Sequence, residues 1–296
     1  MSQKDGSGEL ERSIKPDEAK ITDYGAKQAD NPAFRMSDRQ IEYEELPDEL
    51  PINSTKPSKK QLYIAVGATY LAPIGIGLCL GYSSGAIESM KKDPNIHLTT
   101  SSISWFGSLL TVGAAVGSLL AGNLIDSMGR KFQILFGNVM FVAGWLAIIA
   151  DRSSITWACV GRVLGGFGMG IHAIAVPMYI GEVATPDVRG QLGAAFQLFV
   201  TVGLTIAYLA GRWLTWHEAA VFSMGFNALC TLCVWLLTPL SPRWLLIQCE
   251  RAEARRSLAK LRSLEANSVE VNAEIEEIED SLQQGTGSHV IHVHRF

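Results

Sequence analysis

From Leu62 onward the chain alternates long apolar blocks with short polar breaks. The blocks cover roughly 62–82, 103–125, 132–150, 157–180, 191–211 and 219–238. Each is near the ~20 residues that a helix needs to cross a ~30 Å hydrocarbon core. All but the fourth lack Asp, Glu, Lys and Arg altogether. In lipid every backbone polar group must be bonded within its own segment, which helices achieve. The pattern therefore predicts an all-α membrane protein with six spanning helices.

What lies outside the blocks divides the rest of the chain. Residues 1–60 hold 13 acidic and 10 basic residues and no long apolar run, which predicts a disordered tail. The six-helix bundle is expected over 61–238. Pro239 and Pro242 stop the last span, and a cytoplasmic helical segment is expected over 239–284, with Val271, Ile275, Ile278 and Leu282 at helical spacing. Residues 285–296 are expected to form a second disordered tail. With the N-terminus inside, the cytoplasmic flanks and short loops hold twelve Lys or Arg residues. The outside loops hold four: Lys91, Lys92, Arg152 and Arg212. That asymmetry predicts cytoplasmic termini and an unused glycosylation sequon at Asn53-Ser54-Thr55.

Bulk composition adds exclusions. The 296 residues are 48% hydrophobic and 18% charged, and the net charge of −4 sits in tails and loops. No basic patch suggests nucleic acid as a partner. The first apolar run is too long and too late for a cleaved signal peptide, so the first span reads as an uncleaved signal anchor. Four of five cysteines lie inside spans, and none lies in an outside loop, so no disulfide framework is implied. Cys230-x-x-Cys233 reads as packing. No nucleophile–base pair, metal set or nucleotide loop marks an enzyme, and no cofactor is expected.

Within the spans a few residues stand out. Gly113, Gly117 and Ala121 form a small-residue stripe suited to close helix packing, as do Gly161/Gly165 and Gly166/Gly170. The cluster GGFGMG lacks a preceding strand and sits in a span, so it is not a phosphate loop. Asp126 and Arg130-Lys131 flank a tight turn, either as a topology-setting loop or as an ion-pair latch. His172 reads as a satisfied structural residue or as a proton relay. Gln197 is an amide at hydrocarbon depth, and it needs either a neighbouring helix or a polar ligand such as a sugar hydroxyl. Pro177 is expected to kink the fourth span. His289, His292 and His294 form a weak metal candidate in the tail.

Several longer motifs agree in order and spacing: GYSSGAI (81–87), SWFGSLL…AGNLIDSMGRK (104–131), GRVLGGFGMG…PMYIGEVATPDVRGQLG (161–193) and PLSPRWLL (239–246). On these residues the chain resembles the sugar-porter branch of the major facilitator superfamily, which includes facilitative glucose and trehalose-transporter-like proteins. The resemblance covers about 62–282, the family's N-terminal half. It implies one half of a major facilitator fold, six transmembrane helices as two inverted three-helix repeats, plus cytoplasmic helices. It places Gln197 at the family's sugar-binding glutamine, with Val200 and Leu204 on the same face. It places Arg130, Glu182, Arg189 and Arg243, with Asp126, Lys131 and Arg162, in a conformational charge network. Of these, Arg162 matches the arginine at the outer end of span 4.

The resemblance implies facilitated diffusion of a hexose or disaccharide by alternating access, in a multi-pass membrane location such as the plasma membrane. Proton-coupled relatives carry an aspartate where Ser83 stands, which favours a uniporter. Ser127 replaces a usual basic residue, and Leu240 replaces the acidic residue of the Pro-Glu-Ser-Pro-Arg motif. The sequence stops where the family's seventh span follows. The competing expectation is therefore a non-transporting truncated isoform or fragment that binds or modulates a full-length transporter. The partners implied are a small-molecule sugar, the lipid bilayer, and either a homodimer mate or a full-length transporter.

Overall fold

The computed structural model describes residues 58–94, 96, 98–152 and 154–293, with side chains as far as 284. The predicted tail before residue 58 and the Asn53 sequon lie outside the described residues, as do the side chains of His289, His292 and His294. The chain divides at Ser54, and everything below belongs to the second unit, Thr55–Phe296.

Among the described residues ten helices follow in order: α1 (Lys60–Thr69), α2 (Leu71–Met90), α3 (Thr100–Met128), α4 (Arg130–Ala150), α5 (Ile155–Val183), α6 (Pro186–Trp213), α7 (Trp216–Leu237), α8 (Pro242–Ile247), α9 (Arg251–Arg262) and α10 (Val269–Val293). Six segments among the described residues are long and apolar enough to cross a membrane: α1 with α2, and then α3 to α7 singly. Each contains or overlaps a block read from the sequence, and most extend it by a turn or two. The extensions are polar, as at Glu88 and Asp126, and an apolar window cannot register them.

The first span is interrupted at Tyr70 between α1 and α2. Pro73 has no N–H to give to the carbonyl of Thr69, and the next bond, Ile74 N–H to Tyr70 O, is long at 3.5 Å. By contrast, α5 runs on through Pro177 to Val183. The α3 and α7 N-termini are closed by capping boxes, Thr99 with Ser102 and Thr215 with Glu218.

Span pairing repeats itself. The first span packs on the fifth, and the second packs on the fourth. The first packs also on the sixth, the third on the fourth, and the third on the sixth. Exchanging spans one with four, two with five and three with six maps this set onto itself, as inverted three-helix repeats require.

Glycine makes the two closest pairings. A Cβ on Gly113 would lie 2.3 Å from Val163 O, and one on Gly170 would lie 2.2 Å from Ala114 O. The α2–α6 pairing uses the same device, with Gly77 against Val200 O and Gly203 against Ile74 O, each at 2.1 Å. In lipid, such backbone approach rather than water exclusion drives helix association.

Beyond α7, the helices α8 to α10 form a separate apolar cluster of Leu245, Ala254, Leu258, Ala259, Val271 and Ile275. Leu240 packs against this cluster, which gives the apolar residue at that motif position a structural use. The backbone of α10 stays helical to Val293, nine residues beyond the point at which the sequence reading placed a tail.

Candidate functional site

Two regions carry polar chemistry that the bundle does not need for packing alone. The first sits where spans two to four reach one membrane face. Gly129 links α3 to α4 with φ +78°, a conformation that glycine adopts freely, and this turns Arg130 inward. Arg130 is 4% exposed and donates from Nε to Glu182 Oε1 at 2.8 Å and from Nη1 to Ile125 O at 3.0 Å. Asp126 lies 3.5 Å from the same guanidinium but is largely exposed, so this pair is the weaker of the two.

Glu182 is held from both sides, because Ser241 Oγ donates to its other oxygen at 2.5 Å. The indole of Trp244 covers Gly129 and donates to Asp126 O at 2.9 Å. Tyr179 OH donates to Pro239 O at 3.0 Å, which ties α5 to the chain entering α8.

The structure therefore brings together Asp126, Arg130 and Glu182 of the expected charge network, with the Arg243 charge near enough to act on Glu182, and leaves Lys131, Arg162 and Arg189 elsewhere. Lys131 donates to Trp235 O at 2.9 Å and makes no ion pair among the described residues. Arg189 reaches back to Ala184 O at 3.4 Å. Arg243 makes no ion pair among the described residues.

Arg162 sits 20 residues before Glu182 on α5, about 30 Å away along the axis. It is 1% exposed and lies in a cradle made by Cys79 O at 2.8 Å, Phe106 O at 3.4 Å and the Ser83 hydroxyl, with its Cζ 5.1 Å from the Phe106 ring centre. No carboxylate pairs with it among the described residues. Two partners of the latch escaped sequence reasoning: Ser241 and Trp244. In the sequence SPRW signals only a helix cap, with Trp244 three residues past the serine; the contacts to Glu182 and Asp126 are tertiary.

The second region is one face of α6. Gln197 is exposed, and its side-chain amide has no hydrogen-bond partner among the described residues. Thr201, Thr205 and Tyr208 continue the exposed face at helical spacing. The two threonine hydroxyls bond back to Gln197 O at 3.0 Å and Thr201 O at 2.9 Å. Leu204 is half-buried beside them. Val200, expected on the same face, is buried at 7% exposure against α2, where Gly77 lets the backbones meet. On α3 a matching small and polar line runs through Ser104, Ser108, Thr111, Ala115, Ser118 and Gly122, exposed apart from half-buried Ser118.

His172 is bonded at one ring nitrogen, and its buried Nδ1 has no hydrogen-bond partner among the described residues. The side chain is fully buried, bonds through Nε2 to Ile134 O at 2.9 Å, leans on Phe141, and fits because Gly137 has no side chain. Cys230 packs against the Asn138 amide at 3.5 Å, and all five cysteines are free.

A six-helix unit with this pairing and these motifs can be compared with known proteins. The family model described as "Sugar (and other) transporter" matches residues 51–293. The chain belongs to that sugar transporter family. It is 38% identical over 210 residues to the solute carrier family 2, facilitated glucose transporter member 8 of Bos taurus, covering 70% of this chain and 44% of the relative. It is 35% identical over 204 residues to the facilitated trehalose transporter Tret1 of Bombyx mori, covering 69% of this chain and 40% of that protein.

The sugar-transporter chain thus spans less than half the length of these relatives. In fold it matches the xylose transporter XylE from E. coli in a partially occluded inward open conformation, with a TM-score of 0.66 and 20% identity. That match covers 78% of this chain and 61% of the xylose transporter. The fold is therefore that of a major facilitator transporter, here a multi-pass membrane unit of six helices.

Proposed function

We propose that this chain is a sugar-handling half of an alternating-access carrier, moving a hexose or disaccharide by facilitated diffusion. The observation that carries this reading is the unbonded, exposed amide of Gln197 on the polar face of α6. Two readings were open for it, a helix–helix bond or a ligand contact. Among the described residues no helix supplies the bond. Free amide donors and acceptor at hydrocarbon depth suit the hydroxyls of a sugar crossing between two bundles. Leu204 and Thr201 would flank that contact, with Val200 seating α6 on α2.

Uniport, rather than proton symport, is supported at Ser83. Arg162 bonds a hydroxyl there, and among the described residues no carboxylate shares the site to carry a proton. The ion pair of Arg130 with Glu182, steadied by Ser241 and flanked by Asp126, would latch the cytoplasmic ends of spans two to four in one conformation. Both termini, including the tail through residue 60 and the segment from 239, are proposed to lie in the cytoplasm of a plasma-membrane protein.

A second reading is kept by the exposed small and polar line on α3. Polar groups along a span seek a protein neighbour, and a full-length transporter or a second copy of this chain could provide one. The test is uptake of radiolabelled glucose and trehalose into proteoliposomes containing the purified chain, alone and with Gln197→Ala. Saturable uptake abolished by Gln197→Ala supports the carrier reading. Uptake unaffected by Gln197→Ala overturns the site. No uptake from folded protein turns the reading toward a partner of another transporter.

A further inference from the structure

The exposed half of α6 divides into two flanks. Successive residues on a helix turn by about 100°, so each position can be placed around the axis relative to Gln197. Leu204, Tyr208, Thr201 and Thr205 fall between about −20° and about 80°, on the flank that holds Gln197. Leu198, Leu209, Val202 and Trp213 are all exposed and fall between about 100° and about 160°. The first flank carries amide and hydroxyl groups, and the second is apolar. Hydrocarbon solvates apolar side chains at no cost, whereas unbonded polar groups turned toward it are penalised. Lipid therefore suits the second flank, and the first suits a polar path.

Tyr208 stands on the polar flank, about 20° from Gln197 and about 16 Å along the axis toward the end far from Glu182. It is 54% exposed, and its hydroxyl has no hydrogen-bond partner among the described residues. Depth alone also suits an interfacial aromatic, because α6 is about 42 Å long against a ~30 Å core, which puts Tyr208 near the edge of the hydrocarbon. That anchoring role is already filled by Trp213, 72% exposed on the apolar flank and about 140° round from Tyr208. Azimuth separates the two aromatics. Trp213 turns toward lipid, and Tyr208 lies over the line of Gln197.

A pyranose ring has a polar rim of hydroxyls and a flatter face of C–H groups. An exposed tyrosine offers something to each, an apolar ring face and a hydroxyl at its edge. Between Tyr208 and Gln197, the Thr201 and Thr205 hydroxyls give their protons to the helix backbone, so their oxygens remain as acceptors. The separation of about 16 Å is far longer than one pyranose ring, so a hexose on Tyr208 leaves Gln197 unoccupied. We propose that Tyr208 is the platform of a second, outer sugar subsite, which stacks on the C–H face of a pyranose ring before the sugar moves inward to Gln197. The proposal rests on the reading of α6 as a sugar path. Cyclic sugars are its ligand class, since an open-chain polyol has the hydroxyls but no ring face to stack.

The test is maleimide labelling of single introduced cysteines in the purified full chain in proteoliposomes, located by peptide mass spectrometry so that the five native cysteines are read apart. With a membrane-impermeant reagent, Thr201→Cys should react about tenfold faster than its neighbour Val202→Cys, because the reacting thiolate needs water. Thr205→Cys reports on the outer subsite with Tyr208 intact. Glucose or trehalose should slow its labelling, and sorbitol at the same concentration should not. Adding Tyr208→Ala should raise the glucose concentration for half-protection about fivefold or more, whereas Tyr208→Phe, which keeps the ring, should hold it within about twofold. Equal labelling of Thr201→Cys and Val202→Cys overturns the division into flanks and the subsite with it. Equal protection by sorbitol overturns the stacking. Protection at Thr201→Cys alone, or protection at Thr205→Cys that survives Tyr208→Ala, overturns the outer subsite and leaves the carrier reading standing. Protection at neither reporter overturns both.

Discussion

At the scale of single residues, burial sets the weight of each polar group. Arg130 and Glu182 are both nearly enclosed, so removing either leaves the other as an unpaired buried charge. Glu182→Ala is expected to destabilise the bundle by about 3 kcal/mol, read as a lowered midpoint in thermal unfolding in detergent. Asp126→Asn, at the exposed partner, should cost less than about 1 kcal/mol in the same assay. Gly129→Ala is expected to be costly for a different reason. Its φ is in the left-handed region and its Cβ would press on the Trp244 ring at 2.8 Å, so about 2 kcal/mol should be lost. These residues show how far sequence reasoning reaches. Asp126 and Arg130 stood out as opposite charges flanking a tight turn between spans, and the family resemblance added Glu182. Ser241 was not, because a serine acquires meaning only once Glu182 is brought to it from 59 positions away.

Among the elements, the glycine stripes separate into used and unused positions. Gly113, Gly117, Gly166 and Gly170 each sit against a backbone of the facing helix, whereas Gly107 and Gly122 on α3 meet nothing within 4 Å. Gly170→Leu should therefore split α3 from α5 and reduce the yield of monodisperse protein in gel filtration. Gly122→Leu should leave it unchanged. Spacing alone shows that a face is small, but not whether a neighbour occupies it. Helix lengths were legible in the apolar pattern. The burial of Val200 was not, because it depends on Gly77 in another helix.

The whole molecule joins a membrane bundle to the helices that follow it, and Arg262 is the main polar tie. Its guanidinium bonds Glu274 on α10 through two nitrogens and Val183 O at the end of α5 through the third, at 3.0 Å. Arg262→Ala is expected to release α9 and α10 from α5. Hydrogen exchange should then quicken across 251–284 while the spans keep their protection. Equal protection in the variant would place the docking in the apolar cluster alone.

By itself the sequence determined that six helices cross a membrane, roughly where each runs, and which few polar residues have no ordinary reason to be there. It could do so because hydrocarbon imposes length and polarity on each segment separately. Only the tertiary structure decided which charges meet. It paired Arg130 with Glu182, seated Arg162 on Cys79 O and the Ser83 hydroxyl, left the Gln197 amide unbonded and buried Val200 against α2. Those outcomes depend on which helices lie side by side, and pairing is a property of two backbones that no single segment encodes.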